Sequence, residues 1–376
     1  MTSTRSICDL YAEAEHERII LWTDASCNYR GIIAIHSTAL GTAVGGTRFW
    51  NYANDEEASL DALRLSRGMS YKTAMAGLPF GGGKAVIIGD NKTTDRKQIF
   101  RAHGRFVESL KGRFITAEDI GTTPSDMEYV ALETKHVAGL PGGSGDPSPV
   151  TARGVFRAML ACARHRWGTT DLSRRTVALQ GCGNTGYNLA KELHQAGAKL
   201  LVSDIDSQKA ARLVNEFDAQ AVAPEEIFST PADILAPCAL GGIINDDSIE
   251  QLQVEIVVGS ANNQLLEPRH GDRLHEKGIL YAPDYVANVG GVINGCRELL
   301  GWDRTDAMTK VQELYDTMLD LLNQAQAEGT PPFRKADHVA EQRIQAAREK
   351  ADTEKGGRGD AGMSDLIELS IPKSNH

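Results

Sequence analysis

Apolar residues recur along this chain in two rhythms, with the change at a loop rich in Gly, Pro and Ser. Residues 31–48 (GIIAIHSTALGTAVGGTR) read as β-rich apolar stretches broken by glycine, and residues 83–90 (GKAVIIGD) as another short strand. Between them Ala58, Leu60, Leu63 and Leu65 fall at helical spacing. They follow the acids Asp55, Glu56 and Glu57, so a helix is predicted over 55–68. Residues 98–110 predict an amphipathic helix and 113–119 (RFITAED) a strand. Residues 139–149 (GLPGGSGDPSP) then predict a hinge.

Beyond the hinge, strand and helix alternate regularly. Thr176–Gln180 (TVALQ) is a short strand, followed by a helix through Leu189 and Leu193 and a second strand, Lys199–Ser203. Further strands are predicted at 234–236, 255–259 and 279–281. This rhythm implies an α/β domain with a parallel sheet covered by helices on both faces. Residues 303–350 read as largely helical, the last twenty or so as frayed, and no internal repeat is present. The expected division is a first domain over 1–140, completed by helices from 335–376, and a second over 141–334.

Composition narrows the function classes. With 376 residues, 41% of them hydrophobic, the chain can bury two cores. A net charge of -10 leaves no basic footprint for nucleic acid or anionic lipid. The six cysteines (8, 27, 162, 182, 238 and 296) form no CxxC pair and no zinc spacing, so no metal is expected. No apolar run approaches bilayer length. The expectation is a reduced cytoplasmic enzyme without nucleic-acid or membrane partners.

Candidate chemistry begins in the segment YKTAMAGLPFGGGKAVII, which carries Lys72 and Lys84 among apolar residues and glycines. An ammonium ion loses solvation on burial, so lysines normally keep polar neighbours. A buried lysine near a second cation becomes a base, and glycines let a ligand approach closely. The pair therefore predicts a site for an anionic substrate, against the plain reading of Lys72 as an exposed helical lysine resting on Tyr71. Asp119, at the end of a predicted strand, is a candidate proton shuttle or else a turn cap. His36, His103 and His136 read as structural, and Met69, Met75, Phe80, Phe100 and Phe106 as core.

A second motif is Gly181-Cys182-Gly183-Asn184-Thr185-Gly186, a GxGxxG turn between a predicted strand and helix. Asp204 ends the next strand, where an acid hydrogen-bonds an adenosine ribose. Its charge would repel a 2′-phosphate, and Ile205, Asp206 and Ser207 supply no arginine. NAD is favoured over NADP.

The stretches GGTRFWNYANDEEA, LRLSRGMSYKTAMAGLPFGGGKAVIIGD, ITAEDIGTT, GSGDPSPVTARGV, APCALGG, GSANNQLLEPRHGD and YAPDYVANVGGVIN resemble the Glu/Leu/Phe/Val amino-acid dehydrogenase family. The likeness runs from about residue 32 to about residue 344, is strongest toward the leucine-specific members, and leaves the C-terminal tail outside. It implies an N-terminal α/β catalytic domain and a C-terminal NAD-binding Rossmann domain separated by a cleft. Homo-oligomers, from dimer to octamer, would be built through the first domain.

Position by position, the resemblance implies that Lys72 binds the substrate carboxylate, with Gly45 and Gly46 letting it approach backbone. Lys84 activates water and Asp119 assists proton transfer at the amino group. Gly181, Gly183, Asn184, Thr185, Gly186 and Asp204 hold the cofactor. Thr151, Cys238 and Ala239 line its path, and Asn262 reaches both substrate and nicotinamide. The implied reaction is reversible oxidative deamination of an amino acid to its 2-oxo acid and ammonia. Leu40, Gly41, Ala117, Val292 and Gly295 are the implied side-chain pocket. Glutamate-specific relatives place a lysine at the position of Leu40, so a γ-carboxylate would lack a partner here. Gly295 departs from the valine usual in branched-chain enzymes and enlarges the pocket. Leucine, isoleucine and valine are the expected substrates, with phenylalanine or tryptophan as the alternative. A catalytically silent NAD-binding protein is the reading from another class.

Overall fold

The computed structural model describes residue 11, residues 14–140 and residues 142–356. Cys8 and the tail from 357, including the segment expected to fray, lie outside the described residues. The chain forms two compact units. The first comprises Met1–Gly145, Glu298–Gly301 and Ala340–His376, and the second Asp146–Arg297 and Trp302–Val339.

In the first unit β1 (Arg18–Asp24), β2 (Tyr29–Ser37), β3 (Ala43–Trp50), β4 (Gly81–Ile88) and β5 (Phe114–Glu118) form one sheet in the order β1-β2-β4-β3-β5. β3 lies parallel to both β4 and β5, and β2 antiparallel to β4. β1, unpredicted, is an edge strand with mostly exposed or half-buried residues, which is why its sequence lacks a clear alternation. Side chains of alternate parity divide between two cores. Ile33, Ile35, Phe49, Ala85 and Ile87 pack with Phe100 and Phe106 of α2 (Arg96–Ser109). Ile32, Ala34 and Val86 pack with Ala58, Ala62 and Leu63 of α1 (Asp55–Ala76). α1 runs past the predicted end at Gly68 because Ser70, Tyr71, Thr73 and Ala74 continue its buried face. It ends at Gly77, whose φ of 61° is the left-handed stop expected of glycine. Lys72 is thus on the helix. The helix α3 (Pro124–Ala131) was also missed, and it carries a capping box built on Thr123 and Asp126.

The second unit is α/β, with the doubly wound arrangement expected of its sequence. Its strands β6 (Thr176–Gln180), β7 (Lys199–Ser203), β8 (Gln220–Ala221), β9 (Ile234–Pro237), β10 (Ile256–Val257) and β11 (Leu280–Tyr281) are all parallel, in the order β11-β10-β9-β6-β7-β8. The order reverses between β6 and β9, where an open α/β sheet presents its ligand crevice at the carboxyl ends of the strands. The expected hinge over 139–149 is shortened by α4 (Ser148–Trp167), which has proline in its first turn, where no intrahelical donor is lost. After β6 comes α5 (Asn184–Gln195), and later α6 (Gly290–Leu300). Among the described residues no helix is long and apolar enough to cross a membrane.

Met75, Phe80, Phe100 and Phe106 are buried, whereas Met69 is half-buried. His103 is fully buried between the Tyr29 hydroxyl (2.8 Å) and the Thr47 hydroxyl (2.7 Å), and burial brings it down to about 3. Burial, then the neighbouring His16, Arg67 and Arg348, brings His36 down to about 3 as well. The ordinary value is 6.5, so the unfolded chain takes up these protons first as pH falls. The contribution is complete above about pH 6.5 and is lost progressively toward pH 3, by about 1.4 kcal/mol per pH unit for each ring. The urea midpoint of the wild-type chain should therefore fall between pH 7 and pH 4.5 more steeply than that of His103→Gln. Parallel slopes would show that His103 is not the group responsible.

Candidate active site

In the first unit, Lys84 sits on β4 with 6% of its surface exposed. It shares a sheet face with Gly82, where an added Cβ would lie 2.0 Å from the backbone nitrogen of Ser70. α1 thus rests directly on β4, and Lys72 and Lys84 each lie two residues beyond that contact. Lys84 Nζ donates to Asp119 Oδ2 in an ion pair. Asp119 follows β5 in a tight turn. Its N–H donates to Thr122 Oγ1 at 2.8 Å, and the Thr122 hydroxyl donates back to the Asp119 carbonyl at 2.7 Å. Gly121 makes the turn possible, since it has a φ of 81° and a Cβ would meet the Phe49 carbonyl oxygen at 1.9 Å.

Burial alone would push the Asp119 carboxyl up. The Lys84 ammonium, and after it the Arg48 guanidinium, outweigh burial and hold it below the usual carboxylate range. Arg48 Nε lies 3.7 Å from Asp119 Oδ2, while its Nη1 donates to Asp61 Oδ2 at 2.7 Å. The Tyr52 hydroxyl donates to the same Asp61 oxygen at 2.7 Å. Lys84, Asp119, Arg48 and Asp61 form a row of alternating charge. Arg48, Asp61, Tyr52 and Thr122 were not read from the sequence, because no local spacing links them.

Gly45 and Gly46 have a packing reason of their own. β3 pairs with β4 up to Val44 and Gly82 and again from Thr47 and Ala85, skipping Gly45, Gly46, Gly83 and Lys84. A Cβ on Gly45 would lie 1.8 Å from the Gly83 carbonyl oxygen, and one on Gly46 2.8 Å from Asp119 Cβ. Gly41 has a φ of 136° and packs against the Pro79 carbonyl. Leu40 and Ala117 are half-buried.

In the second unit the glycine turn follows β6 and opens α5. Gly181 has a φ of 97°, and a Cβ there would meet Ala239 and Cys238 within 3 Å. One on Gly186 would lie 1.9 Å from the Gly181 carbonyl oxygen. At Gly183 a Cβ would meet nothing within 4 Å, so the space above the first turn of α5, at Asn184 and Thr185, is open. Two glycines therefore serve the fold and the third leaves room for a ligand. Such an opening at a helix N-terminus fits a pyrophosphate. Asp204, after β7, accepts from the Cys182 N–H at 2.7 Å and from the Asp206 N–H at 2.8 Å, which sets its carboxylate beside the turn.

The same crevice continues across the sheet. Gly241, beyond Cys238 and Ala239, approaches the Asn262 carbonyl, where a Cβ would lie 2.5 Å from the oxygen. Asn288, 4% exposed and unforeseen, donates through Nδ2 to Asn262 Oδ1 at 3.0 Å. That bond fixes the Asn262 amide with its oxygen toward Asn288. Thr151 lies against Gly291, where a Cβ would be 3.0 Å from Thr151 Oγ1, next to Val292. A Cβ on Gly295 would meet nothing within 4 Å. Thus Thr151, Cys238, Ala239, Asn262, Val292 and Gly295 belong to the second unit, and Leu40, Gly41, Gly45, Gly46, Lys72, Lys84, Ala117 and Asp119 to the first.

The chain is similar to known proteins over most of its length. The Glu/Leu/Phe/Val dehydrogenase dimerisation-domain family matches residues 16–136, and the Glutamate/Leucine/Phenylalanine/Valine dehydrogenase family matches residues 142–208 and 202–351. A leucine dehydrogenase of Thermoactinomyces intermedius is 51% identical over 350 residues, covering 92% of this chain and 96% of that protein. An L-tryptophan dehydrogenase of Nostoc punctiforme is 47% identical over 335 residues, 88% of this chain and 94% of that one. The crystal structure of L-tryptophan dehydrogenase from Nostoc punctiforme matches with a TM-score of 0.83 and 44% identity, over 91% of this chain and 100% of that one. A hetero-hexameric glutamate dehydrogenase from Thermus thermophilus, at 21% identity and a TM-score of 0.72 over 93% of this chain and 98% of that one, shares the fold.

Proposed function

The chain belongs to the Glu/Leu/Phe/Val dehydrogenase family and is an amino-acid dehydrogenase. From that premise we propose that it performs the reversible, NAD-dependent oxidative deamination of leucine, isoleucine and valine. The observation carrying the chemistry is the ion pair of a buried Lys84, within β4, with Asp119, which follows β5.

When bound, NAD would supply the acceptor for the hydride of the substrate Cα. The open space at Gly183 and the Asp204 carboxylate fit a dinucleotide without a 2′-phosphate. Asn184 and Thr185 offer the first N–H groups of α5 to the pyrophosphate, while Gly181 and Gly186 hold the turn. Thr151, Cys238, Ala239 and Asn262 border the nicotinamide side. Lys72 is a fixed cation for the substrate carboxylate, which approaches backbone at Gly45 and Gly46. Asp119 first takes a proton from the substrate ammonium, and loss of hydride leaves an iminium carbon. Lys84 takes a proton from the water that adds to that carbon, and Asp119 then returns its proton to the departing amino nitrogen. The carbinolamine collapses to the 2-oxo acid and ammonia. Residues 1–140 with 335–376 carry the catalytic and oligomer-forming role in this reading, and 141–334 the cofactor. We take the protein as a cytoplasmic homo-oligomer, from dimer to octamer.

Leu40, Gly41, Ala117, Val292 and Gly295 wall the side-chain pocket. An apolar Leu40 leaves a γ-carboxylate unpaired, which disfavours glutamate. The empty space around Gly295 favours a second reading, in which phenylalanine or tryptophan is preferred. A panel of leucine, isoleucine, valine, phenylalanine, tryptophan and glutamate, followed through NADH absorbance at about 340 nm, tests the proposal. Silence on all six with NAD still bound would replace it by a binding role. Gly295→Val should lower the phenylalanine-to-leucine ratio of kcat/KM by about tenfold or more. An unchanged ratio would remove Gly295 from the pocket.

A further inference from the structure

We propose that Arg48 is a positioning residue for the reaction. Suspended between Asp119 and Asp61, its guanidinium keeps Asp119 a carboxylate while Lys84 gives up its proton, and Asp61 sets how much of that positive charge reaches Asp119. The inference rests on the roles of Lys84 and Asp119 proposed above.

The geometry separates the two acids that Arg48 serves. Its Nη1 is hydrogen-bonded to Asp61, which anchors the side chain. Its Nε is buried without a hydrogen-bond partner and faces Asp119 Oδ2 at 3.7 Å, so that contact is electrostatic. The Arg48 side chain is 18% exposed and that of Asp61 12%, so solvent screens this row weakly.

A charge balance explains why the row is needed. Lys84 and Asp119 together are neutral while Lys84 holds its proton. Once Lys84 is deprotonated to act as a base, the buried pair carries a net negative charge, which burial opposes. A guanidinium beside Asp119 offsets that charge and itself stays protonated throughout. The groups facing this row come from every neighbouring element. They are Lys84 of β4, Asp61 and Arg64 of α1 with Glu57 lining the same cavity, Tyr52 after β3, and Glu118 beside Asp119. Glu118 is pushed up by burial and then by Asp126 of α3 and by Asp119, and Asp126 is itself paired with Arg96. Burial works against the charge on Arg48, but Asp119 and Asp61 raise it above the ordinary guanidinium range.

The test is the pH profile of kcat/KM for leucine deamination by the full chain with NAD. Removing a cation within 4 Å of the pair should move the acid limb of Arg48→Met to higher pH by at least about one unit, with activity at pH 7 reduced about tenfold. Arg48→Lys should return most of the shift. Asp61→Asn should move the limb the other way, because Arg48 then answers to one carboxylate fewer. A uniform loss of activity in Arg48→Met with the limb unmoved overturns the inference. If Arg48→Met does not fold, Asp61→Asn decides, and an upward or absent shift overturns it. Lys84→Ala separates the two levels. Near-wild-type turnover in that variant removes the reading of the pair itself, whereas an inactive Lys84→Ala with an unmoved Arg48→Met profile removes the role of Arg48 alone.

Discussion

Lys84→Ala is expected to lower deamination by about a hundred- to ten-thousandfold, the range of a lost general base. The loss should appear in kcat, because Lys84 acts on water after the substrate is held elsewhere, by Lys72 in the proposed mechanism. NAD affinity should be unchanged, since the glycine turn and Asp204 belong to the other unit. Stability should fall too, because the variant leaves the Asp119 carboxylate without its closest cation. Breaking a buried pair costs about 3–5 kcal/mol. Arg48 remains 3.7 Å away, so the lower end of that range applies. The check is single-turnover NADH formation together with a urea melt. A folded variant that turns over near the wild-type rate would end the catalytic assignment.

The second large effect concerns the cofactor, and it rests on a contrast between neighbouring glycines. Gly183→Val places its side chain where a Cβ meets no protein atom within 4 Å. The fold should therefore survive, while NAD affinity falls about a hundredfold or more as the side chain fills the space for the pyrophosphate. Gly186→Val instead drives a Cβ to within 1.9 Å of the Gly181 carbonyl oxygen and should unfold the second unit. Equilibrium titration with NADH, followed through the fluorescence of its reduced nicotinamide, with a thermal melt of each variant, distinguishes them. Wild-type NAD affinity in Gly183→Val would remove the turn from the binding site.

What could be read in advance follows the range over which the residues act. The strand Thr176–Gln180, its glycine turn and Asp204 lie within thirty residues, and turn chemistry with alternating apolar positions is a local property of the chain. The same holds for the apolar setting of Lys84 and for the long likeness that placed the chain in its family. The extension of α1 beyond Gly68 was hidden because Lys72 and Ser70 look polar. Their register against β4, not their composition, makes that turn helical.

The ion pair of Lys84 with Asp119 spans 35 positions, and the hydrogen bond of Arg48 to Asp61 joins a strand to a helix. Asn288 likewise reaches Asn262 across 26 positions. By itself the sequence determined the class of fold, the family and the residue types able to do the chemistry, because these depend on periodicity and local motif. Tertiary structure alone decided which charges became neighbours and which glycines are forced. Those outcomes depend on how close strands and helices approach, a distance set by packing along the whole sheet and by no single segment.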